Sequence, residues 1–400
     1  MVAGWLLARA GIDVAVLEKH SDFLRDFRGD TIHPSTLELM FELGALDELL
    51  ARPHTRQDVL SLDLLGTRVV GPDFRQLPTH CKFTAFMPQW DFLRFAEEQA
   101  RRYPKFALRM NTEAVDLVRD GDQVTGVRTR DGDTIACELV IAADGRHSVI
   151  RDRAELPRTN LSVPIDVLWM RVPRKPTDAG QLLGIASGDQ FLVMIDRSDY
   201  WQCAYLIRKG GLDELKQRGL PAFRQRLVTI APMLADRVDA LASWDDLKLL
   251  SVVVDRLDRW WRPGLLCIGD AAHAMSPVGA VGINLAIQDA IAAANALWKP
   301  LRDGRVPDEV LASVQRRRQM PTAVIQRAQV LMHDYVIRPI LDGRGERPVR
   351  RLRTVLERVP LARRLMAYGV GVGVRLEHVQ SPEVATIKPA EREDRPRPAL

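Results

Sequence analysis

The sequence predicts an α/β fold in which βαβ-type segments, a β-rich layer and a helical C-terminal region alternate along one chain. Three observations predict it. Two short apolar strands, Leu139–Ala143 and Leu265–Ile268, each run into a tight turn bearing glycine and aspartate, and each turn opens a helix. Residues 156–262 hold apolar and aromatic runs with strand character: 167–172, 190–195, 201–207 and 250–254. Residues 306–336 read as helix, and an Arg-rich helical stretch follows. At 400 residues the chain has the length of two or three domain-sized units and can bury a core without staples. Hydrophobic residues are 46% and charged ones 27%, which excludes wholesale disorder. Fifty-seven basic side chains against 52 acidic ones leave only +5, too little to argue for nucleic acid. Cys81, Cys137, Cys203 and Cys267 form no CxxC pair, so zinc, haem attachment and a disulfide framework lack support, and reduced thiols fit a cytoplasmic protein. No run of about 18 uninterrupted apolar residues suggests a membrane span.

Met1–Gly11 reads as a helix closed by glycine, and Ile12–Glu18 as a strand ending in an acid, together the second half of a βαβ unit. The first half, a strand leading into GxGxxG, is not in the chain. The expectation is therefore that the start lies too late, and that in-frame codons upstream spell an apolar strand and that motif. In such a unit the strand-end acid lies about 20 residues past the glycines and binds ribose hydroxyls, which is the place Glu18 takes. Residues 56–87 alternate apolar and polar side chains, as strands of a second sheet do. A helix is predicted from about Gln89 to Arg102, then a hairpin through Val124–Arg130 turning at Asp131-Gly132.

Two motifs carry the chemistry. The first is Asp144-Gly145-Arg146-His147-Ser148-Val149-Ile150-Arg151, directly after a buried strand, with Ser148 as a helix cap. The second runs from Gly269-Asp270-Ala271-Ala272-His273 through Pro277, Gly279 and Gly282 to Ile283-Asn284, and opens an Ala-rich helix over Leu285–Leu297. Backbone N–H groups at that helix start point at something electron-rich. His273 and His147 read as structural loop histidines rather than proton carriers.

On these residues the chain resembles the flavin-dependent monooxygenases related to para-hydroxybenzoate hydroxylase, whose fingerprints are GxGxxG, DGxxSxxR and GDAAHxxxPxxGxGxN. One more residue separates Gly279 from Gly282 than in the commonest form of the third. The resemblance implies a Rossmann-type FAD-binding domain made of 1–55, 88–155 and 263–335. It further implies a β-sheet substrate domain made of 56–87 and 156–262, while composition alone reads as an Arg-rich helical segment over 336–380 and, from its proline and charge, a disordered tail over 381–400. It implies that Glu18, Arg28, Gln89, Asp144, Gly145, Arg151, Gly269, Asp270, Pro277, Gly279, Gly282, Ile283 and Asn284 hold FAD. Within that set Asp270 bonds the ribityl chain, Asp144 and Gly145 lie near the pyrophosphate, Arg151 braces their loop, and the helix opening at Gly282 faces the flavin pyrimidine.

The resemblance also implies reduction by NADPH or NADH, reaction with dioxygen through a flavin hydroperoxide, and hydroxylation of an aromatic or polyketide-like small molecule. A flavin oxidoreductase without oxygen insertion and a truncated, non-catalytic remnant stay as alternatives. No catalytic acid or base is assigned; Tyr200, Tyr205 and Asp196 lie in the substrate region. For the arginines of 343–364 three readings compete: a solvated face, weak contact with an anionic membrane surface through Leu352, Val355, Leu356, Leu361 and Leu365, and, last, nucleic acid. A homodimer is a further expectation.

Overall fold

The computed structural model describes residues 1–24, 31–178 and 183–384. Arg28, predicted to contact the cofactor, and residues 385–400 of the predicted tail lie outside the described residues. The chain opens with α1 (Val2–Arg9), which Gly11 closes in the left-handed region, and β1 (Val14–Leu17). Helix α2 (Pro34–Glu42) starts on a proline, whose fixed φ and missing N–H suit the first helical position. Helix α3 (Gln89–Ala100) sends Phe92, Phe95 and Ala96 into the same core as Trp5 and Leu6 of α1, and the Trp5 and Phe95 rings meet edge to face. Strand β2 (Phe106–Arg109) pairs in parallel with β1.

Strand β3 (Val140–Ala142) pairs in parallel with a later strand, β7 (Leu265–Cys267), and the helix α4 (Gly282–Arg302) packs over both β7 and α1. α4 is apolar and long enough to cross a membrane, yet 67% of that apolar window is buried inside the protein, the signature of a core helix. It runs antiparallel into α5 (Asp308–Met332), which continues through a wider π turn at His333–Ile337.

Between β3 and β7 the chain builds five strands of a seven-stranded sheet, whose other two come from before β3. Its centre is β4 (Ile165–Pro173), β6 (Tyr200–Arg208) and β5 (Gln190–Asp196), hydrogen-bonded in that spatial order. Leu183–Ser187, Val59–Leu64 and Thr67–Asp73 extend it on one side and Lys248–Leu250 on the other. Alternation sorts its side chains. Leu168, Met170, Trp201, Cys203 and Tyr205 face the helix Leu220–Ile230, while Val167, Ala204, Leu206 and Phe191 face the chain's last helices. Those are α6 (Glu346–Arg358) and α7 (Pro360–Gly371).

Four features differ from the sequence reading. The predicted strand at 250–254 is interrupted: pairing stops at Leu250 and resumes at Val254. The buried Asp166 carboxylate takes the Val252 N–H at 2.9 Å, and Lys209 donates to the Val252 carbonyl at 2.7 Å, so side chains replace the ladder there. Thr84–Phe86 joins Thr31–Ile32 and Thr55–Gln57 in a small sheet rather than the large one. The last stretch of the predicted 336–380 helical segment is not helical: from Val372 the chain runs on to Val384 as an irregular strap, and Ser381–Val384 is held by bonds from Arg9 to the Ser381 and Pro382 carbonyls and from the Val384 N–H to the Arg9 carbonyl. Finally, Leu356 and Val349 are buried and Leu352 packs against the sheet, leaving Val355, Leu361 and Leu365 outside, so the predicted apolar side of the Arg-rich segment is split.

Candidate cofactor site

Two loops face each other across the ends of β3 and β7. In the first, Gly145 adopts φ +88°, a value that favours glycine. Asp144 accepts from the Ser148 hydroxyl and from the Ile150 N–H at 3.2 Å, and Ser148 caps the short helix Val149–Arg153 by accepting the Arg151 N–H at 3.0 Å. The Arg151 side chain is almost fully buried. It donates to the Arg146 carbonyl at 3.0 Å and to the Ala271 carbonyl at 3.3 Å, stitching the first loop to the second. His147 is exposed.

In the second loop Gly269 has φ +59°, and a Cβ there would sit 3.0 Å from the Ala286 Cβ, so the strand end can meet α4 this closely only through glycine. The Gly269 N–H donates to Asp289 at 3.0 Å, which fixes the turn carrying Asp270. The Asp270 carboxylate is half-buried and 3.4 Å from Arg146. Burial pushes its pKa above the ordinary 3.8, and the Arg146 guanidinium opposes the rise. A Cβ at Gly282, the first residue of α4, would lie 4.0 Å from Asp270 Oδ1, which puts this acid at the helix start. Half-buried Pro277 leads into the turn Val278–Ala280, where Gly279 (φ +79°) and Ala280 (φ +53°) both adopt left-handed backbone. Ile283 packs against the main core, and Asn284 is buried, accepting from Thr36 of α2 at 2.9 Å.

The structure thus brings Asp144, Gly145, Arg151, Gly269, Asp270, Pro277, Gly279, Gly282, Ile283 and Asn284 onto two adjoining loops and one helix start. Glu18 lies elsewhere, at the end of β1, where its carboxylate accepts the His20 N–H at 3.0 Å. Gln89 opens α3 and joins none of these loop contacts among the described hydrogen bonds. The substrate-region candidates separate as well. Tyr205 is buried on the far face of the sheet, with Gln190, Arg226 and the Phe223 ring around it, and Asp196 is paired with Arg174 at 3.0 Å. Tyr200 carries the Arg171 guanidinium over its ring at 4.8 Å.

Sequence reasoning missed His33, Asp289 and Arg318. His33 precedes α2, is fully buried, and neither ring nitrogen has a hydrogen-bond partner among the described residues. Burial pushes its pKa down to about 4, with the Ala280 backbone opposing. Asp289 and Arg318 are wholly buried and paired at 2.9 Å, and His273 Nε2 lies 2.5 Å from Asp289. Burial works against the Asp289 charge, yet His273 and Arg318 hold its pKa below the usual carboxylate range. Asp289 lies in an Ala-rich helix and Arg318 in a run of arginines and glutamines on the next one, so neither stands out locally as half of this pairing.

Several polar groups of this region are left for something else to satisfy. The Asn284 amide nitrogen and the Arg146 Nη1 are buried without a partner among the described residues. An acid for hydroxyl groups, a guanidinium for an anion, and a helix start with an amide donor for carbonyl oxygens match the ribityl, phosphate and pyrimidine parts of a flavin dinucleotide.

The model of the FAD binding domain family matches residues 1–328. The chain belongs to that family. A relative from Streptomyces rimosus, 6-methylpretetramide 4-monooxygenase, is 32% identical over 392 residues, covering 96% of this chain and 93% of its own. Rifampicin monooxygenase of Streptomyces venezuelae is 26% identical over 353 residues, covering 82% of this chain and 68% of its own. The fold is similar to that of PqsL, a probable FAD-dependent monooxygenase from Pseudomonas aeruginosa (TM-score 0.72, 22% identity, 89% of this chain and 96% of that one). This member of the FAD binding domain family is an FAD-dependent monooxygenase of the para-hydroxybenzoate hydroxylase-like type.

Proposed function

We propose that the enzyme hydroxylates an aromatic or polyketide-like small molecule, with electrons from NADPH or NADH. The observation that carries this reading is the placement of the Val278–Ala280 turn. Val278 packs against the sheet-face cluster to which Trp169 and Val193 also belong, so the helix start proposed to hold FAD adjoins an apolar wall. Such a wall suits a flat, largely apolar ring system and keeps water away from the reacting atoms. Bound FAD, once reduced, supplies the activation of dioxygen. The chain's own residues supply the rest. Asp144, Gly145, Arg146 and Arg151 hold the phosphate side, Asp270 takes ribityl hydroxyls, and the N–H groups of Gly282, Ile283 and Asn284 face the pyrimidine, where fixed dipoles favour negative charge on reduction. Glu18 and Gln89 belong to the adenosine side of this reading.

The test is purified protein with FAD, a panel of aromatic polyketides and each nicotinamide donor under ¹⁸O₂. One labelled oxygen in the product supports the reading. Donor oxidation and product formation without label favours the alternative of an oxidoreductase that inserts no oxygen. A cytoplasmic homodimer belongs to the same reading, with light scattering as its check. Weak contact of the exposed Val355, Leu361 and Leu365 with anionic lipid also belongs to it and is checked by sedimentation with phosphatidylserine vesicles.

A further inference from the structure

The strap Val372–Val384 lies beyond the segment that the family model matches, yet one of its side chains reaches the cofactor-site turn through two buried charges. Glu377 is 2% exposed. Its carboxylate is paired with Arg317 at 2.7 Å and with Arg318 at 3.3 Å. Its own N–H donates to Gln288 of α4. Arg318 donates onward to Asp289 at 2.9 Å and back to the strap at the Arg375 carbonyl, 3.2 Å away. Asp289 then accepts the Gly269 N–H, the bond that orients Asp270. Four elements are therefore joined in series: strap, α5, α4 and the Gly269–Asp270 turn.

The charges balance along the series: Arg317 and Arg318 face Glu377 and Asp289, two of each sign. Without the Glu377 carboxylate, Arg318 keeps its ion pair with Asp289 but loses one of the two acceptors that fix the direction of its fork. Arg317 is 41% exposed on its side chain, so water screens it; Arg318, fully buried, depends on Asp289 and Glu377. The far end of the strap is held separately: Glu383 accepts from Tyr103 at 2.8 Å and from Arg9 at 3.3 Å, away from this series.

We propose that Glu377 is a positioning residue of the FAD site, acting through Arg318 and Asp289 on the Gly269–Asp270 turn. The proposal rests on Asp270 facing FAD, and its test separates the two. The full chain is compared with Glu377→Gln, Glu377→Asp and, as a control that loosens the strap elsewhere, Glu383→Gln. In FAD-free protein, hydrogen exchange resolved to the Gly269 amide, by NMR or by overlapping peptides across 265–275, reads that bond. Glu377→Gln is expected to speed that exchange about tenfold, the size of effect typical of coupled buried networks, with Glu377→Asp in between and Glu383→Gln unchanged. With FAD present, Glu377→Gln is expected to raise the FAD Kd by a similar factor and to shift the flavin absorption bands. Unchanged exchange in Glu377→Gln overturns the proposal, as does an equal response in Glu383→Gln. A response in exchange without any FAD binding by the parent protein leaves the positioning in place and removes the FAD reading instead. Arg318→Lys, which keeps the charge but loses the forked geometry, gives a second route to the same exchange readout should Glu377→Gln fail to fold.

Discussion

Asp270 carries two opposed demands. Ligand binding needs an acceptor at the start of α4, while partial burial raises its pKa above 3.8. A carboxyl with a raised folded-state value contributes stability fully below its unfolded pKa, and that contribution is lost as pH rises through the folded value. Asp270→Asn should therefore melt higher than the parent at pH 7 without FAD, match it in acid, and bind FAD more weakly; thermal midpoints against pH, together with a flavin titration, check both halves. His33 behaves in the opposite sense. With its pKa depressed from 6.5 to about 4, it contributes stability above 6.5 that is lost as pH falls through about 4, worth roughly 3 kcal/mol at 1.36 kcal/mol per pKa unit. Urea unfolding of His33→Asn between pH 7 and 4 should flatten the acid loss by about that amount. Buried His333, also pushed down to about 4, adds to the acid sensitivity that remains, as do carboxylates held below their usual range such as Asp289. Residue-level legibility was uneven for a physical reason. Asp144, Ser148 and Arg151 bond within their own loop and so leave a local pattern, whereas the burial of His33 depends on Phe74 and Ala280, which lie far along the chain.

At the scale of elements, the turn after β7 resists a side chain at Gly269. Gly269→Ala places a Cβ against Ala286 and forces an L-residue into the left-handed region, which costs about 1–2 kcal/mol from the backbone alone. The expected result is a lower urea midpoint at unchanged slope, and weaker FAD binding because Asp270 moves with the turn. Strand and helix elements were readable where the pattern is local. The α3 helix, the hairpin of strands Gln123–Thr129 and Thr134–Ala136, and the two strand–turn–helix motifs lie where the sequence predicts them. The break at 251–253 was not readable, because Asp166, in a strand, and Lys209, just past the end of another, take over its backbone bonds from 40 and more residues earlier.

At the scale of the whole molecule, the proposed site draws FAD across loops from distant parts of the chain, so FAD should bind the folded state alone. A hundredfold excess over Kd should then add about 2.7 kcal/mol to stability by mass action, seen as a rise in thermal midpoint that tracks FAD concentration. A midpoint indifferent to FAD would contradict assembly of the site from these loops. Sheet order was the least legible feature. Val59–Leu64 reaches the large sheet by lying parallel to Leu183–Ser187, more than 100 residues away, and nothing in either strand names the other.

The strap also bears on how such proteins can be recombined. Cutting at residue 328, where the family match ends, would carry Arg318 and Asp289 into a chimera and leave Glu377 behind. A recipient would have to bring an acceptor of its own to that spot, because Arg318 must stay to pair with the buried Asp289. Swaps that exchange substrate walls between relatives should therefore place their crossover points inside the β-rich segment and keep each enzyme's C-terminal residues with its own α4 and α5, since inheritance of the cofactor fold travels with both.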